Sequence, residues 1–226
     1  MTSSLCGFHF KPIFLADANG LVAGLRGLNA DQPPLILVGD RREFVGNLTD
    51  QQLSQFLTQE ERIRLASFYH LADQERFGIG RIMLRSILGS WLSQHPCSVV
   101  VNIGPHGKPF SPYGPFFNIS HSGDYITLAI HPFRPVGIDV ERLQHHNDWR
   151  SMASILWPEI VISHIENHPV PKQSDEFLKQ WCQYEAATKA VGLGLSAPWI
   201  YFDSEKPCQL WDLMLPESYL GYAAMM

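Results

Sequence analysis

Apolar positions along the chain fall into helical stripes followed by short β-branched runs, and this order occurs twice. Leu35-Ile36-Leu37-Val38 reads as a short buried strand. Thr49 with Gln52, and Thr58 with Glu61, fit the S/T-x-x-E/Q pattern that satisfies free amides at a helix start, so a helix is predicted after each. Asp73 is predicted to cap a long helix over 74–93, with Phe77, Leu84, Leu88 and Trp91 on one apolar stripe. Strand-like runs follow at 98–103, 116–119, 125–130 and 136–141, separated by Gly and Pro. Residues 149–157 read as helical up to Pro158, and 158–173 as a mobile connection. A second long helix is predicted over 175–191, with Phe177, Trp181, Tyr184 and Thr188 on one side and Gly192 as its stop. Runs at 199–202, 209–215 and 219–224 close the chain as strands, whereas 1–34 carry weak signals. The fold class expected is α+β, in two similar halves, 1–115 and 116–226, with a cleft between them.

Composition narrows the function classes. Charged residues make up 17% of the 226, below the roughly 25% usual for soluble domains, while hydrophobic residues reach 45%. Large internal or interfacial apolar surfaces are expected. A formal net charge of -5 argues against general nucleic-acid binding but leaves room for a local basic pocket. Cys6, Cys97, Cys182 and Cys208 are scattered without a C-x-x-C pair, so neither a disulfide framework nor a structural zinc site is expected. The first residues lack a basic leader, and no run approaches the ~18 apolar residues of a membrane span. A cytoplasmic protein is expected.

Candidate chemistry centres on Gly137-Ile138-Asp139-Val140-Glu141, where strand spacing puts two carboxylates on one face of an apolar run. A solvated strand face would accommodate them, and so would a hard divalent cation. Asn118-Ile119-Ser120-His121-Ser122 places hydroxyls and an imidazole at a strand end. Neighbours on a strand point to opposite faces, so Ser120 and His121 make a poor nucleophile–base pair and a better phosphate grip, unless the histidine is merely satisfied in a turn. Lys108, on the stiff Gly107-Lys108-Pro109 loop, is either solvated or a ligand cation. Arg62, Arg64, Arg76, Arg81 and Arg85 form a basic set, of which one or two would meet a ligand. Glu185 is either an exposed partner of Lys189 or, if its helix packs beside the Asp139 strand, a third carboxylate completing a Mg²⁺ shell.

Taken in order, Phe68-Tyr69-His70 with Arg76, Gly107-Lys108-Pro109, Phe117 to Ser122, Gly137 to Glu141, and Trp181-Cys182 with Glu185-Ala186 and Lys189 resemble the 4'-phosphopantetheinyl transferases of the surfactin-synthetase type. The resemblance covers about residues 50–200. It implies two pseudo-symmetric α+β halves with coenzyme A and Mg²⁺, or Mn²⁺, at their interface. The phosphopantetheine arm would pass to a serine of an apo carrier protein of acyl, peptidyl or polyketide type, releasing 3',5'-ADP. It assigns Asp139, Glu141 and Glu185 to the metal, with Glu185 also accepting the serine proton. Arg64, Arg76, Ser120 and His121 would hold the 3'-phosphate, with Lys108 and Pro109 at the adenine end. The N-terminal half would then grip the nucleotide, and the C-terminal half would carry the metal carboxylates and dock the carrier.

Two departures stand out. Tyr184 occupies the position where the family commonly has Lys, which implies weaker pyrophosphate stabilisation, and Glu61 stands where a cation is often found. The alternative is a coenzyme A or carrier-binding homologue with weak or lost transfer; a metal-dependent phosphohydrolase ranks below both. Carrier docking is expected on 142–174, through Trp149, Ile155, Leu156 and Trp157. A monomer is expected, with no nucleic-acid or membrane partner.

Overall fold

The computed structural model describes residues 3–5, 8–9, 15–44, 49–194 and 208–226. The elements run β1 (Ser3–Leu5), β2 (Phe8–His9), α1 (Leu15–Arg26), β3 (Leu35–Asp40), α2 (Asp50–Phe56), α3 (Gln59–Ala66), α4 (Leu71–Leu92), β4 (Asn102–Ile103) and β5 (Pro109–Phe110). They continue with β6 (Phe116–Ser122), β7 (Tyr125–His131), β8 (Val136–Arg142), α5 (Trp149–Leu156), α6 (Glu159–Glu166), α7 (Val170–Val191), β9 (Gln209–Leu213) and β10 (Tyr219–Met225).

Of two four-stranded sheets, one has the order β2-β3-β7-β6 and the other β1-β9-β10-β8, while β4 and β5 pair separately. A helix of 22 residues serves each, α4 against the first and α7 against the second, which gives the α+β halves their likeness. Alternation along β3 divides its residues between two cores, as a period of two requires. Leu37 joins Ile79, Met83 and Leu128 under α4. Ile36 and Val38 face the other way and pack with Val136, Ile138, Val140 and Trp211 of the second sheet. β7 pairs with β3 on one side and β6 on the other, so the chain passes from this sheet to the second between His131 and Val136.

Local signals explain the helix ends. Thr58 and Glu61 form a reciprocal capping box at the start of α3. Gly192, at φ 82°, ends α7 in the left-handed region, where its amide bonds the Thr188 carbonyl. The cap of α4 is His70 instead of Asp73, which sits in the first turn and pairs with Arg76 at 2.5 Å.

The stretch read as a connection contains α6, and α7 begins at Val170, ahead of the expected 175. Pro158 both follows α5 and opens α6, a position where its missing N–H costs nothing. Burial of Val161, Ile162 and Ile165 outweighs the modest helix propensity of β-branched residues. Of the strand expected over 98–103, only Asn102–Ile103 pairs, after a 3-10 turn at Pro96–Ser98. The expected strand at 199–202 lies outside the described residues. Among the described residues, no helix is long and apolar enough to cross a membrane.

Candidate active site

The two sheets meet at a seam between β6 and β8 that is closed by side chains. Alternate β6 residues present acceptors to the free amides of β8: Asn118 Oδ1 takes Ile138 N–H at 2.9 Å, Ser120 Oγ takes Val140 N–H at 3.4 Å, and Ser122 Oγ takes Arg142 N–H at 3.0 Å. The same hydroxyls donate to the acids between those amides. Ser120 Oγ donates to Asp139 Oδ1 at 2.9 Å and Ser122 Oγ to Glu141 Oε2 at 3.0 Å. The N-I-S-H-S sequence therefore satisfies one edge of β8 and orients its carboxylates.

A third carboxylate arrives on α7. Cys182, Glu185, Ala186 and Lys189 recur at helical spacing and share the face turned to β8. A Cβ at position 137 would overlap the Ala186 carbonyl oxygen and the Ala190 amide, so glycine there lets the helix backbone lie directly on the strand. Lys189 Nζ then reaches Asp139 Oδ1 at 2.5 Å and Glu185 Oε2 at 2.7 Å.

The electrostatics follow from this crowding. Asp139 is 2% exposed, and its Oδ2 is buried without an ordinary hydrogen-bond partner. The weakly donating Cys182 thiol interacts with this carboxylate, and burial together with Asp139 holds that thiol well above its ordinary pKa. Burial and the Asp139 charge push Glu141 up to about 7. Burial opposes the charge on Lys189, yet Asp139 and Glu185 keep its pKa above the ordinary lysine value. Lys189 thus stands between Asp139 and Glu185, and Ser122 holds Glu141, so the three carboxylates are neighbours without their oxygens being drawn into one shell; their chemistry, all hard oxygen, is of the kind that suits Mg²⁺ or Mn²⁺.

Beside the seam lies a cavity of about 270 Å³, lined by Lys108, Pro109, Asn118, Ile119 and Lys189 among others. Lys108 and Pro109 are thus at its wall, but the Lys108 ammonium is spent on three backbone carbonyls, of Val136, Lys189 and Ala190, at 2.9, 2.6 and 3.4 Å. It fastens the loop to the end of α7, and burial without a carboxylate partner lowers its pKa to about 8.

His121 points out of the seam and is exposed, opposite in direction to buried Ser120. Lost hydration and the nearby Arg76 charge pull its imidazole below the ordinary value. Arg76 donates to Gly123 O at 2.8 Å as well as to Asp73.

Arg64 is separate from this group. It stacks over Phe77 at 5.8 Å and lines another cavity, of about 440 Å³, with Glu61, Arg81 and Arg85. Glu61 is not a vacancy in a cation cluster there, because Arg85 holds it at 2.7 Å. The Tyr184 ring, at 1% exposure, is seated in an aromatic cluster with Trp149, Trp157 and Phe177. Adjacent helix residues diverge by about 100°, so its ring lies away from the Lys189 side of α7.

Sequence reasoning did not assign Lys189 a place among the site residues, although its i+4 spacing from Glu185 was visible. Its bond to Asp139 depends on the seating of α7. Nor did it see Asn118 and Ser122 as the closure of the seam. Their alternation with Ser120 was the available signal.

Residues 49–133 match the family model described as 4'-phosphopantetheinyl transferase, N-terminal, and residues 135–216 that of the 4'-phosphopantetheinyl transferase superfamily. The chain is 32% identical over 151 residues to the 4'-phosphopantetheinyl transferase HetI of Nostoc sp., covering 65% of this chain and 64% of that one. It is 29% identical over 162 residues to a phosphopantetheinyl transferase of Thraustochytrium sp., covering 65% and 56%. To the 4'-phosphopantetheinyl transferase Sfp of Bacillus subtilis it is 28% identical over 151 residues, covering 66% of each. The chain thus spans somewhat less than two thirds of the length of these relatives. Two tandem matches to one superfamily, meeting where the structure passes from one sheet to the other, identify the chain as a member of the 4'-phosphopantetheinyl transferase superfamily, of the Sfp type.

Proposed function

We propose that the protein transfers the 4'-phosphopantetheine arm of coenzyme A to a serine of an apo carrier protein, of acyl, peptidyl or polyketide type, releasing 3',5'-ADP. The observation that carries this reading is that Lys189, which lines the 270 Å³ cavity, joins Asp139 of β8 to Glu185 of α7, with Glu141 two residues further along the strand.

Asp139, Glu141 and Glu185 would hold Mg²⁺, with Mn²⁺ as the alternative. When bound, the ion supplies charge neutralisation at the pyrophosphate oxygens. Glu185 Oε is the acceptor for the serine proton. Lys189, already beside that carboxylate, balances the negative charge of the pyrophosphate end. Ser120 and Ser122 act as positioning residues that hold the strand carboxylates in place. Arg76 and exposed His121 take the 3'-phosphate, and the Lys108–Pro109 loop walls the adenine end. Arg64 would take part only if the nucleotide extends into the second cavity. The division of labour follows, with the nucleotide grip from the N-terminal part and carboxylates from β8 and α7.

The carrier docks on 142–174, where Ile155, Ile160 and Val170 are strongly exposed apolar residues, at 81%, 78% and 76%. Two sheets within one chain complete the site, which favours a monomer, and a cytoplasmic location accords with the substrates. Incubation with coenzyme A, Mg²⁺ and a panel of apo carrier proteins tests the reading through the mass gained by the carrier. No gain with any of them, alongside measurable coenzyme A binding, would replace it with a binding homologue. Release of 3',5'-ADP without a carrier would indicate a phosphohydrolase.

A further inference from the structure

Away from the carboxylate seam, the α6–α7 corner brings together His164, His168 and Glu176, which each offer a ligand atom within 4.8 Å of the others. His164 Nε2 lies 3.6 Å from Glu176 Oε1. Two ligands held at ~2.1 Å in a tetrahedral zinc shell stand ~3.4 Å apart, so the His164–Glu176 pair needs to close by only a few tenths of an ångström, with the His168 ligand atom within 4.8 Å of both.

The surrounding bonds suit a metal ligand set. His168 places Nδ1 3.1 Å from the His164 carbonyl oxygen. Donation from Nδ1 puts the proton there and leaves the Nε2 lone pair available. Glu176 Oε1 accepts from Gln180 Nε2 at 2.9 Å, which fixes the carboxylate plane. Lys179 lies at 3.7 Å from the other oxygen, Oε2, and so does not occupy the ligand atom. The i, i+4 histidine spacing spans the end of α6, and Glu176 stands two turns into α7. The scattered cysteines gave no hint of such a site, and it uses none of them.

We propose that His164, His168 and Glu176 form a site for a divalent transition metal, with zinc as the best-matched ion and an open fourth position. Imidazole nitrogens favour such ions over Mg²⁺, which prefers an all-oxygen shell. Glu176 and Glu185 are nine residues apart on α7, or ~13 Å along the axis, so the site is distinct from the carboxylate seam. Its ligands come from two helices, and binding would clamp α6 onto α7. The established family chemistry does not require it.

The test is a titration of the full chain with Zn²⁺ alone as probe against a chromophoric chelator, in millimolar Mg²⁺ to fill the hard-oxygen seam. One equivalent of Zn²⁺ is expected, with the affinity falling at least about tenfold in His164→Gln, His168→Ala and Glu176→Gln. Zinc should raise the unfolding temperature of the parent and not of these variants. His164 is exposed, so His164→Gln should melt like the parent when zinc is absent. Absence of binding in the parent would overturn the proposal. So would equal affinity in the parent and all three variants.

Discussion

Gly137 lies directly beneath the Ala186 carbonyl, with no room for a Cβ between strand and helix. This contact sets the height of α7 over β8, and with it the reach of Lys189 and Glu185 to Asp139. Gly137→Ala is expected to destabilise the protein by about 3 kcal/mol or more, because both obstacles are backbone atoms that cannot rotate away. Gly80 of α4 is the matching control. A Cβ there meets Ile126 Cγ2 and Ile119 Cγ2 at 3.5 and 3.6 Å, so Gly80→Ala should stabilise by roughly 0.5–1 kcal/mol. Urea unfolding of both variants reads the difference.

Lys189 bridges two of the three acids proposed for the metal. Lys189→Met leaves Asp139 buried and unpaired, and without metal should cost on the order of 3 kcal/mol at neutral pH. Added Mg²⁺ should restore more stability to this variant than to the parent, since the ammonium no longer shares its ligands. Melts in EDTA and in Mg²⁺ check this, and equal Mg²⁺ shifts would place Lys189 outside the metal site.

Glu141 makes stability depend on pH. Its carboxyl titrates near 7 instead of the ordinary 4.5, because burial and Asp139 favour the neutral acid. That contribution is complete below pH 4.5 and is lost as pH rises through 7. Metal-free protein should therefore lose unfolding temperature over this interval, and Glu141→Gln should flatten the profile. Saturating Mg²⁺ should abolish the loss by holding the ionised form.

Tyr184 invites replacement by the Lys common in the family. Its ring is packed with Trp149, Trp157 and Phe177, so Tyr184→Lys forces an ammonium into an aromatic cluster. Lower thermal stability with no gain in kcat is expected. A faster enzyme of unchanged stability would show that the position belongs to the pyrophosphate site.

The helical pair α5 and α6 separates packing from docking. Leu156 leans on the aromatic cluster, whereas Ile155 is 81% exposed. Ile155→Asp should raise the carrier KM and leave both coenzyme A affinity and unfolding temperature unchanged. Leu156→Asp should instead lower the unfolding temperature.

The sequence by itself determined the two long helices, the three central strands and the order of the chemically equipped residues. Those signals are local: apolar spacing, the Thr58–Glu61 cap, the Gly192 stop, and the Asp139–Glu141 alternation. What it left undecided were contacts between segments far apart in the chain. Lys108 reads equally as a solvated or a ligand cation, and the fold instead places three carbonyls around it; Tyr184 stands where the family commonly has Lys, and only the packing of Trp149 and Trp157 on it shows its ring to be core. Helix α6 was hidden because its β-branched residues are weak helix formers stabilised by burial. Bringing Asp139 and Glu185 to one ammonium required the close seating of α7 on Gly137, a long-range packing event that no local pattern encodes.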